Sequence, residues 1–128
     1  MENNSVGEDL IAEYFDENGI KYKRQVKISN LKADYKPYRS ADFYLPNYKV
    51  YVEFLGKWDS NNAKEGYKNK KMIYIKNNIP CVYLYPDNLG VLDFIFKRRL
   101  RDTLNMHPQL KFQKFLYNLD IIQDEYMI

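Results

Sequence analysis

The chain has 128 residues, a formal net charge of +3 and 45% hydrophobic residues, which is enough to bury one core without disulfide support. Its single cysteine, Cys81, excludes a disulfide framework. One cysteine and one histidine are too few ligands for a zinc site. No stretch approaches the length of a membrane span, so we expect one cytoplasmic domain over residues 1–128 with no membrane contact.

The distribution of charge is more informative than its sum. Basic residues concentrate in two segments, one after residue 56 and one near residue 100: Lys57, Lys64, Lys68, Lys70, Lys71 and Lys76, then Lys97, Arg98, Arg99 and Arg101. Such a run is either a solvated helix face or a phosphate-binding surface. The 13 tyrosines add rings on which bases can stack.

The first predicted helix begins after Ser5 and ends at Asn18-Gly19, with apolar residues at helical spacing. Glu8 lies on the same line as Ile11 and Phe15, so its carboxylate points along the buried face. Glu8 either completes an S-x-x-E capping box with Ser5 or belongs to a functional site, and the two roles are compatible.

A strand is predicted over residues 20–28, where apolar and polar residues alternate. Residues 31–38 are typical of an irregular loop that is closed by Pro37 and leads into Arg39. Arg39 either binds a phosphate or pairs with a nearby acid.

The centre of the chain predicts a β-hairpin. Residues 40–45 and 50–55 are rich in β-branched and aromatic residues, and Pro46-Asn47 between them is a turn signal. A four-residue loop over 46–49 pairs Leu45 with Val50, Phe43 with Val52, and Asp42 with Glu53.

Two carboxylates opposite each other destabilise a strand pair by a few tenths of a kcal/mol up to about 1 kcal/mol. Asp42 and Glu53 are therefore either solvated residues on a polar face or a site that needs a cation or a raised pKa. Tyr44, Tyr51 and Leu55 share the faces of the two acids, which favours a site.

A second helix is predicted from about Ala63 to Asn77. A helical wheel places Ala63, Tyr67, Tyr74 and Ile75 in one arc, together with Lys64 and Lys71. A lysine on such a stripe either extends past the sheet edge or, as a functional alternative for Lys71, reaches Asp42 and Glu53 and helps to hold a phosphate or a nucleophilic water.

Residues 80–85 predict a short buried strand that makes a crossover unit with the preceding helix. A further helix is capped by Asp87-Asn88 and broken at His107-Pro108, and a last helix follows from Gln109. We thus expect an α/β fold with a mixed sheet of about four strands flanked by helices, a core of about 5–104, and a helical tail of about 109–128. The tail covers either the core or a partner subunit.

With Glu8, Asp42 and Glu53 placed on this framework, the chain resembles the restriction-endonuclease-like nucleases, the PD-(D/E)xK superfamily, from Ser5 to about Leu100. The D-F-Y-L-P and Y-V-E-F-x-G strings are similar to small helicase-associated nuclease domains and to very-short-patch-repair endonucleases. The resemblance rests on these strings: Gly7-Glu8, Ser40-Ala41-Asp42-Phe43-Tyr44-Leu45-Pro46 and Val50-Tyr51-Val52-Glu53-Phe54-Leu55-Gly56.

The resemblance implies a restriction-endonuclease-like core and Mg²⁺-dependent hydrolysis of phosphodiester bonds in DNA, with Mn²⁺ as a substitute. It implies that Asp42, Glu53 and the backbone carbonyl of Phe54 bind the metal and that Glu8 assists directly or through water. The family usually carries a lysine two residues after the second acid, where this chain has Leu55. We expect Lys71 to replace that lysine, with Lys57 and Lys64 as reserves.

We expect Arg39, Lys57, Lys64 and Lys68 to contact the nucleic acid. The alternative function is a catalytically inactive nuclease-fold module that binds nucleic acid or a protein partner through the basic helix and the tail. Either function is compatible with a homodimer or with a separate recognition partner.

Overall fold

The computed structural model describes residues 5–126, with side chains described as far as Asp120. It is a mixed α/β structure in which one 3-10 turn, Pro86–Val91, precedes the last but one helix and another, Pro108–Leu110, separates the last two helices. The helices and strands are α1 (Val6–Glu17), β1 (Lys23–Ser29), β2 (Tyr38–Leu45), β3 (Val50–Phe54), α2 (Asn61–Lys76), β4 (Cys81–Leu84), α3 (Leu92–Met106) and α4 (Lys111–Tyr126).

The four strands form one sheet in the order β1-β2-β3-β4. Strands β1, β2 and β3 are antiparallel neighbours, whereas β3 and β4 are parallel. Parallel neighbours need a crossover connection, and α2 provides it. The predicted mixed sheet of four strands and its crossover unit are confirmed.

Helices pack against both faces of the sheet. On one face, α1, α3 and α4 share a core with Val82 and Leu84 of β4. On the other face, Tyr74 of α2 packs in a smaller cluster that includes Cys81, with Tyr83 against it. Successive side chains of a strand point to opposite faces, so this alternation along β4 separates the two layers.

Helix α1 is fixed at its N-terminus by Ser5, whose Oγ accepts a hydrogen bond of 3.0 Å from the Glu8 amide. Gly7 in its first turn lies against the ring of Phe54 so closely that a Cβ at this position would collide with the ring. This close approach places the first turn of α1, and Glu8 with it, next to the end of β3.

Several element boundaries differ from the predicted ones. Strand β1 begins at Lys23 instead of residue 20, because the Ile20 amide hydrogen-bonds back to the Phe15 carbonyl at the end of α1. Helix α3 begins at Leu92, since Asn88 accepts from the Tyr85 amide and so caps a 3-10 turn instead of the helix.

Helix α4 packs on the core through one side only. Tyr117 is buried there, whereas Phe112 and Phe115 are 63% and 56% exposed. The tail thus covers the core and also leaves an outward apolar side, and the last two residues of the predicted tail lie outside the described residues. In the described part of the chain, no helix combines the length and hydrophobicity that a membrane span requires.

Candidate active site

The two acids predicted to face each other lie side by side where β2 and β3 separate. The predicted pairs Phe43 with Val52 and Leu45 with Val50 are present. The predicted pair of Asp42 with Glu53 is not part of the backbone pairing. Instead, the Phe54 amide donates a 2.7 Å hydrogen bond to Oδ2 of the Asp42 side chain. The pairing register therefore brings the Asp42 carboxylate to the segment that carries Glu53.

Glu53 is buried, with 2% of the residue exposed. Its Oε2 accepts a 2.6 Å hydrogen bond from the Tyr74 hydroxyl and lies 2.8 Å from Lys70 Nζ. The same ammonium group donates to the Ser40 carbonyl at 2.7 Å. A buried carboxylate needs such partners, and here both come from one face of α2.

Glu8, in the first turn of α1, is the third acid predicted for the site, and it is close enough to Asp42 to feel its charge. Its carboxylate accepts from Ser5 Oγ at 3.3 Å and from Gln25 Nε2 at 3.3 Å, and it lies 4.0 Å from Arg24. Burial and the Asp42 charge raise the pKa of Glu8. Glu8 thus caps α1 through Ser5 and also lies within the electrostatic influence of Asp42, and its role in a functional site stays a prediction.

Gln25 is a residue of this site that the sequence did not indicate. It lies on β1 at the point opposite Asp42 where the β1–β2 register is interrupted, with a φ of 52°. Its side chain also accepts from Ser40 Oγ at 3.1 Å. A positive φ is uncommon outside glycine, and here it turns the amide towards Glu8.

Electrostatic coupling between the acids is strong. Burial, followed by the neighbouring Glu53 carboxylate, raises the pKa of Asp42 to about 7, against the opposing effects of the Phe54 amide and Lys70. Two carboxyl groups this close resist ionising together. The arrangement favours either a protonated Asp42 or a bound cation.

The lysine next to the acids is Lys70, and the expectation that Lys71 reaches them is not met. Lys71 Nζ lies 4.8 Å from the ring centroid of Tyr83, the residue of β4 that pairs with Glu53 of β3. Of the two reserves, Lys64 lies over the Trp58 ring at 5.0 Å, and Lys57 donates its backbone amide to the Tyr67 hydroxyl. Adjacent positions on a helix point about 100° apart, so the two lysines contact different strands: Lys70 contacts Glu53 of β3, and Lys71 lies over Tyr83 of β4.

Of the two roles predicted for Arg39, phosphate binding or pairing with a nearby acid, the structure shows pairing with an acid. Its guanidinium is buried and makes hydrogen bonds of 2.7 and 2.9 Å to the two carboxylate oxygens of Asp34. Lys68 is exposed on α2. Contact of Arg39, Lys57, Lys64 and Lys68 with nucleic acid stays a prediction.

The donor set at this point fits Mg²⁺ better than a transition metal. Within residues 5–120, no three His, Cys, Asp or Glu side chains gather into a metal-binding group. Mg²⁺ is ordinarily held by one or two carboxylates together with waters and substrate phosphates, and it needs no all-protein cage. The coupled carboxylates of Asp42 and Glu53 meet that requirement, and the backbone of Phe54 lies beside both.

Comparisons of the chain with protein-family models, with curated protein sequences and with solved structures find no match. Assignment of this site therefore depends on its own geometry and chemistry.

Proposed function

We propose that this chain is a metal-dependent endonuclease that hydrolyses phosphodiester bonds in DNA. The observation that carries the proposal is the coupling of Asp42 and Glu53 beside the Lys70 ammonium group, with the pKa of Asp42 raised to about 7. Perturbed acids grouped with a cation are typical of catalytic sites. A hairpin that carries both acids and a crossover helix that carries the lysine also support a restriction-endonuclease-like core.

Asp42, Glu53 and the backbone carbonyl of Phe54 would hold Mg²⁺, with Mn²⁺ as a substitute. The Phe54 amide and the Tyr74 hydroxyl hold these two carboxylates in fixed positions, in which they would bind the ion together. When bound, such an ion lowers the pKa of a water molecule and neutralises charge that develops on the phosphate.

The surrounding donors fix the orientation of both carboxylates. The Phe54 amide fixes Asp42 and the Tyr74 hydroxyl fixes Glu53, so neither group needs to reorganise during the reaction. Preorganised groups of this kind contribute the largest electrostatic effects in catalysis.

Lys70 would act on the substrate. Its ammonium group has three donors, of which one contacts Glu53 and one the Ser40 carbonyl. The third would donate to a non-bridging phosphate oxygen or to the attacking water, the role that the sequence had suggested for Lys71.

Glu8 would accept or position a proton of the attacking water. Its raised pKa brings the carboxyl closer to neutral pH, where a general base works best. The Gln25 amide and Ser5 hydroxyl hold it in place. Lys57, Lys64 and Lys68 extend the basic surface along α2 for the DNA backbone.

The test is cleavage of supercoiled plasmid and of single-stranded and branched DNA, with Mg²⁺ or Mn²⁺ against EDTA. Asp42→Asn and Lys70→Ala should each lower the rate by a factor of about 100 to 1000, as expected for loss of one electrostatic group. Lys71→Ala is the matched control, one position along the same helix, and should cleave at the wild-type rate. Circular dichroism checks that each variant is folded.

Two results would refute the proposal: absence of metal-dependent cleavage by the wild type on every substrate, or full activity of Asp42→Asn. Loss of activity in Lys71→Ala with full activity in Lys70→Ala would refute the assignment of the lysine alone.

A catalytically inactive binding module is the second candidate. The 2.8 Å ion pair between Lys70 and Glu53 favours it, because it already compensates one carboxylate without any metal. DNA binding without cleavage, unaffected by Mg²⁺ and by Asp42→Asn, would support this alternative.

A further inference from the structure

A groove leads from the start of β2 towards the candidate active site. It lies between the segment around Pro37 and the first half of α2, with a volume of about 630 Å³, and Tyr38, Ser40, Tyr67 and Lys70 are among the residues that line it. This volume is within the range of sites for small organic ligands, so it accommodates a nucleotide unit. Because Lys70 also contacts Glu53, one end of the groove opens beside the coupled acids.

Two exposed tyrosine rings lie at this groove: Tyr38 is one of its lining residues, and the ring centroid of Tyr35 lies 6.0 Å from the guanidinium carbon of Arg39, another lining residue. Tyr35 is 84% exposed and Tyr38 is 43% exposed. Lys27 Nζ lies 4.6 Å from the ring centroid of Tyr38, and Lys36 Nζ lies 5.9 Å from that of Tyr35. Rings that stand next to ammonium groups offer stacking surfaces and phosphate contacts within one nucleotide step.

The charge in this region favours a polyanion. Arg39 is compensated by Asp34, and Lys70 is compensated by Glu53. No salt bridge is described for Lys27 or Lys36, so these two ammonium groups add positive charge beside the tyrosine rings.

The loop that carries Tyr35 is held in place before any ligand binds. Asn77, at the end of α2, accepts from the Lys32 amide at 2.7 Å and donates to the Lys32 carbonyl at 3.0 Å. Asp34 binds Arg39 and also accepts from the Lys36 amide at 3.1 Å. A loop fixed on both sides of Tyr35 loses little conformational entropy when a base stacks on the ring.

We propose that this groove, with Tyr35 and Tyr38 at its entrance, binds unpaired nucleotides of a DNA strand and directs that strand to the acids. Duplex DNA keeps its bases stacked on each other, so two outward tyrosine rings have no base faces to contact there, whereas a single strand, overhang or flap supplies them. The inference rests on the proposed function, because it assigns a substrate class to the same site.

The test is fluorescence anisotropy in EDTA with three labelled probes: a short oligothymidine, the same backbone with abasic sites, and a hairpin duplex. Wild type should bind the oligothymidine most tightly. The Tyr35→Ala, Tyr38→Ala double variant should lose about tenfold in affinity for the oligothymidine and little for the other two, since stacking on these rings requires a base. The Tyr35→Phe, Tyr38→Phe variant keeps both rings and should bind like wild type.

Equal wild-type affinity for the base-bearing and abasic strands would overturn the proposal, as would an equal loss on all three probes in the alanine variant. Binding is measured without metal, so the anisotropy result can be interpreted even if the protein does not cleave DNA. Metal-dependent cleavage with no effect of the two tyrosines would refute the groove and leave the nuclease standing. Tyrosine-dependent strand binding without cleavage would refute the nuclease and leave the groove standing.

Discussion

Titration of Asp42 should make the metal-free protein less stable as the pH rises. Its pKa is about 7 in the folded chain against an ordinary value of 3.8, chiefly because of burial and the neighbouring Glu53, with Lys70 and the Phe54 amide acting in the opposite direction. Between these two values the folded chain keeps a proton that the unfolded chain has released. The free energy of unfolding therefore falls through this range, and the loss is complete above about pH 7.

The magnitude follows from the two pKa values. A difference of about three pH units corresponds to about 4 kcal/mol, of which about 3 kcal/mol falls between about pH 5 and pH 8. Asp42→Asn removes the ionisation and keeps an oxygen that accepts from the Phe54 amide, so it isolates the charge from the hydrogen bond.

The free energy of unfolding is measured in EDTA at about pH 5 and pH 8 by urea denaturation, followed by the fluorescence of Trp58, the single tryptophan. Wild type should lose stability between the two conditions, whereas Asp42→Asn should lose much less and be the more stable protein at the higher pH. Mg²⁺ should stabilise wild type at the higher pH and leave the variant unchanged.

Asp93→Asn is the control, because hydrogen bonds from Tyr14 and Lys97 lower the pKa of Asp93. The stability that Asp93 contributes is present above its unfolded pKa and is lost in acid, so this variant should keep the wild-type difference between about pH 5 and pH 8. Identical pH dependence in wild type and Asp42→Asn would show that Asp42 is not the perturbed carboxyl and would refute the coupling argument.

Two further substitutions test the packing around the site by urea unfolding. Gly7→Ala should lower the free energy of unfolding by about 1–3 kcal/mol, since its methyl group would collide with the Phe54 ring. Gly66→Ala, in the open middle of α2, is the control and should be neutral or stabilising by up to about 1 kcal/mol. Equal effects of the two substitutions would argue against the close approach of α1 to β3. Tyr74→Phe should cost about 1–3 kcal/mol because it removes a donor from buried Glu53; an unchanged stability would mean that Lys70 alone satisfies this carboxylate.

The hairpin was predictable because local signals agree. The turn at Pro46-Asn47 and the residue types on both sides specify one register, and that register alone places Asp42 next to Glu53. The limits of the first helix followed in the same way from Ser5 and Asn18-Gly19. The start of α3 did not, because Asn88 is equally suited to cap a 3-10 turn, and only packing decides which one forms.

Gln25 illustrates what the sequence does not encode locally. A glutamine inside an alternating strand predicts an outward polar residue with ordinary backbone geometry. Its left-handed conformation exists because Glu8, from α1, and Ser40, from β2, both bind its side chain. Such a residue becomes visible only when three separate segments have been assembled.

The misplaced lysine has a simpler origin, which lies in the phase of helix α2. The helical wheel predicts that Ile75 lies in the buried arc with Lys71. In the structure Ile75 is 63% exposed, whereas Tyr74 is fully buried. At about 100° per residue, Tyr67 and Tyr74 alone define an axis from which Lys70 deviates by about 50° on one side and Lys71 by about 50° on the other. Ile75 shifts that axis towards Lys71, whereas buried Ile73 shifts it towards Lys70. The two tyrosines therefore leave Lys70 and Lys71 equivalent, and the choice depends on which isoleucine is buried. The sequence alone does not distinguish Ile73 from Ile75, because both are equally hydrophobic and only packing against the sheet selects one of them.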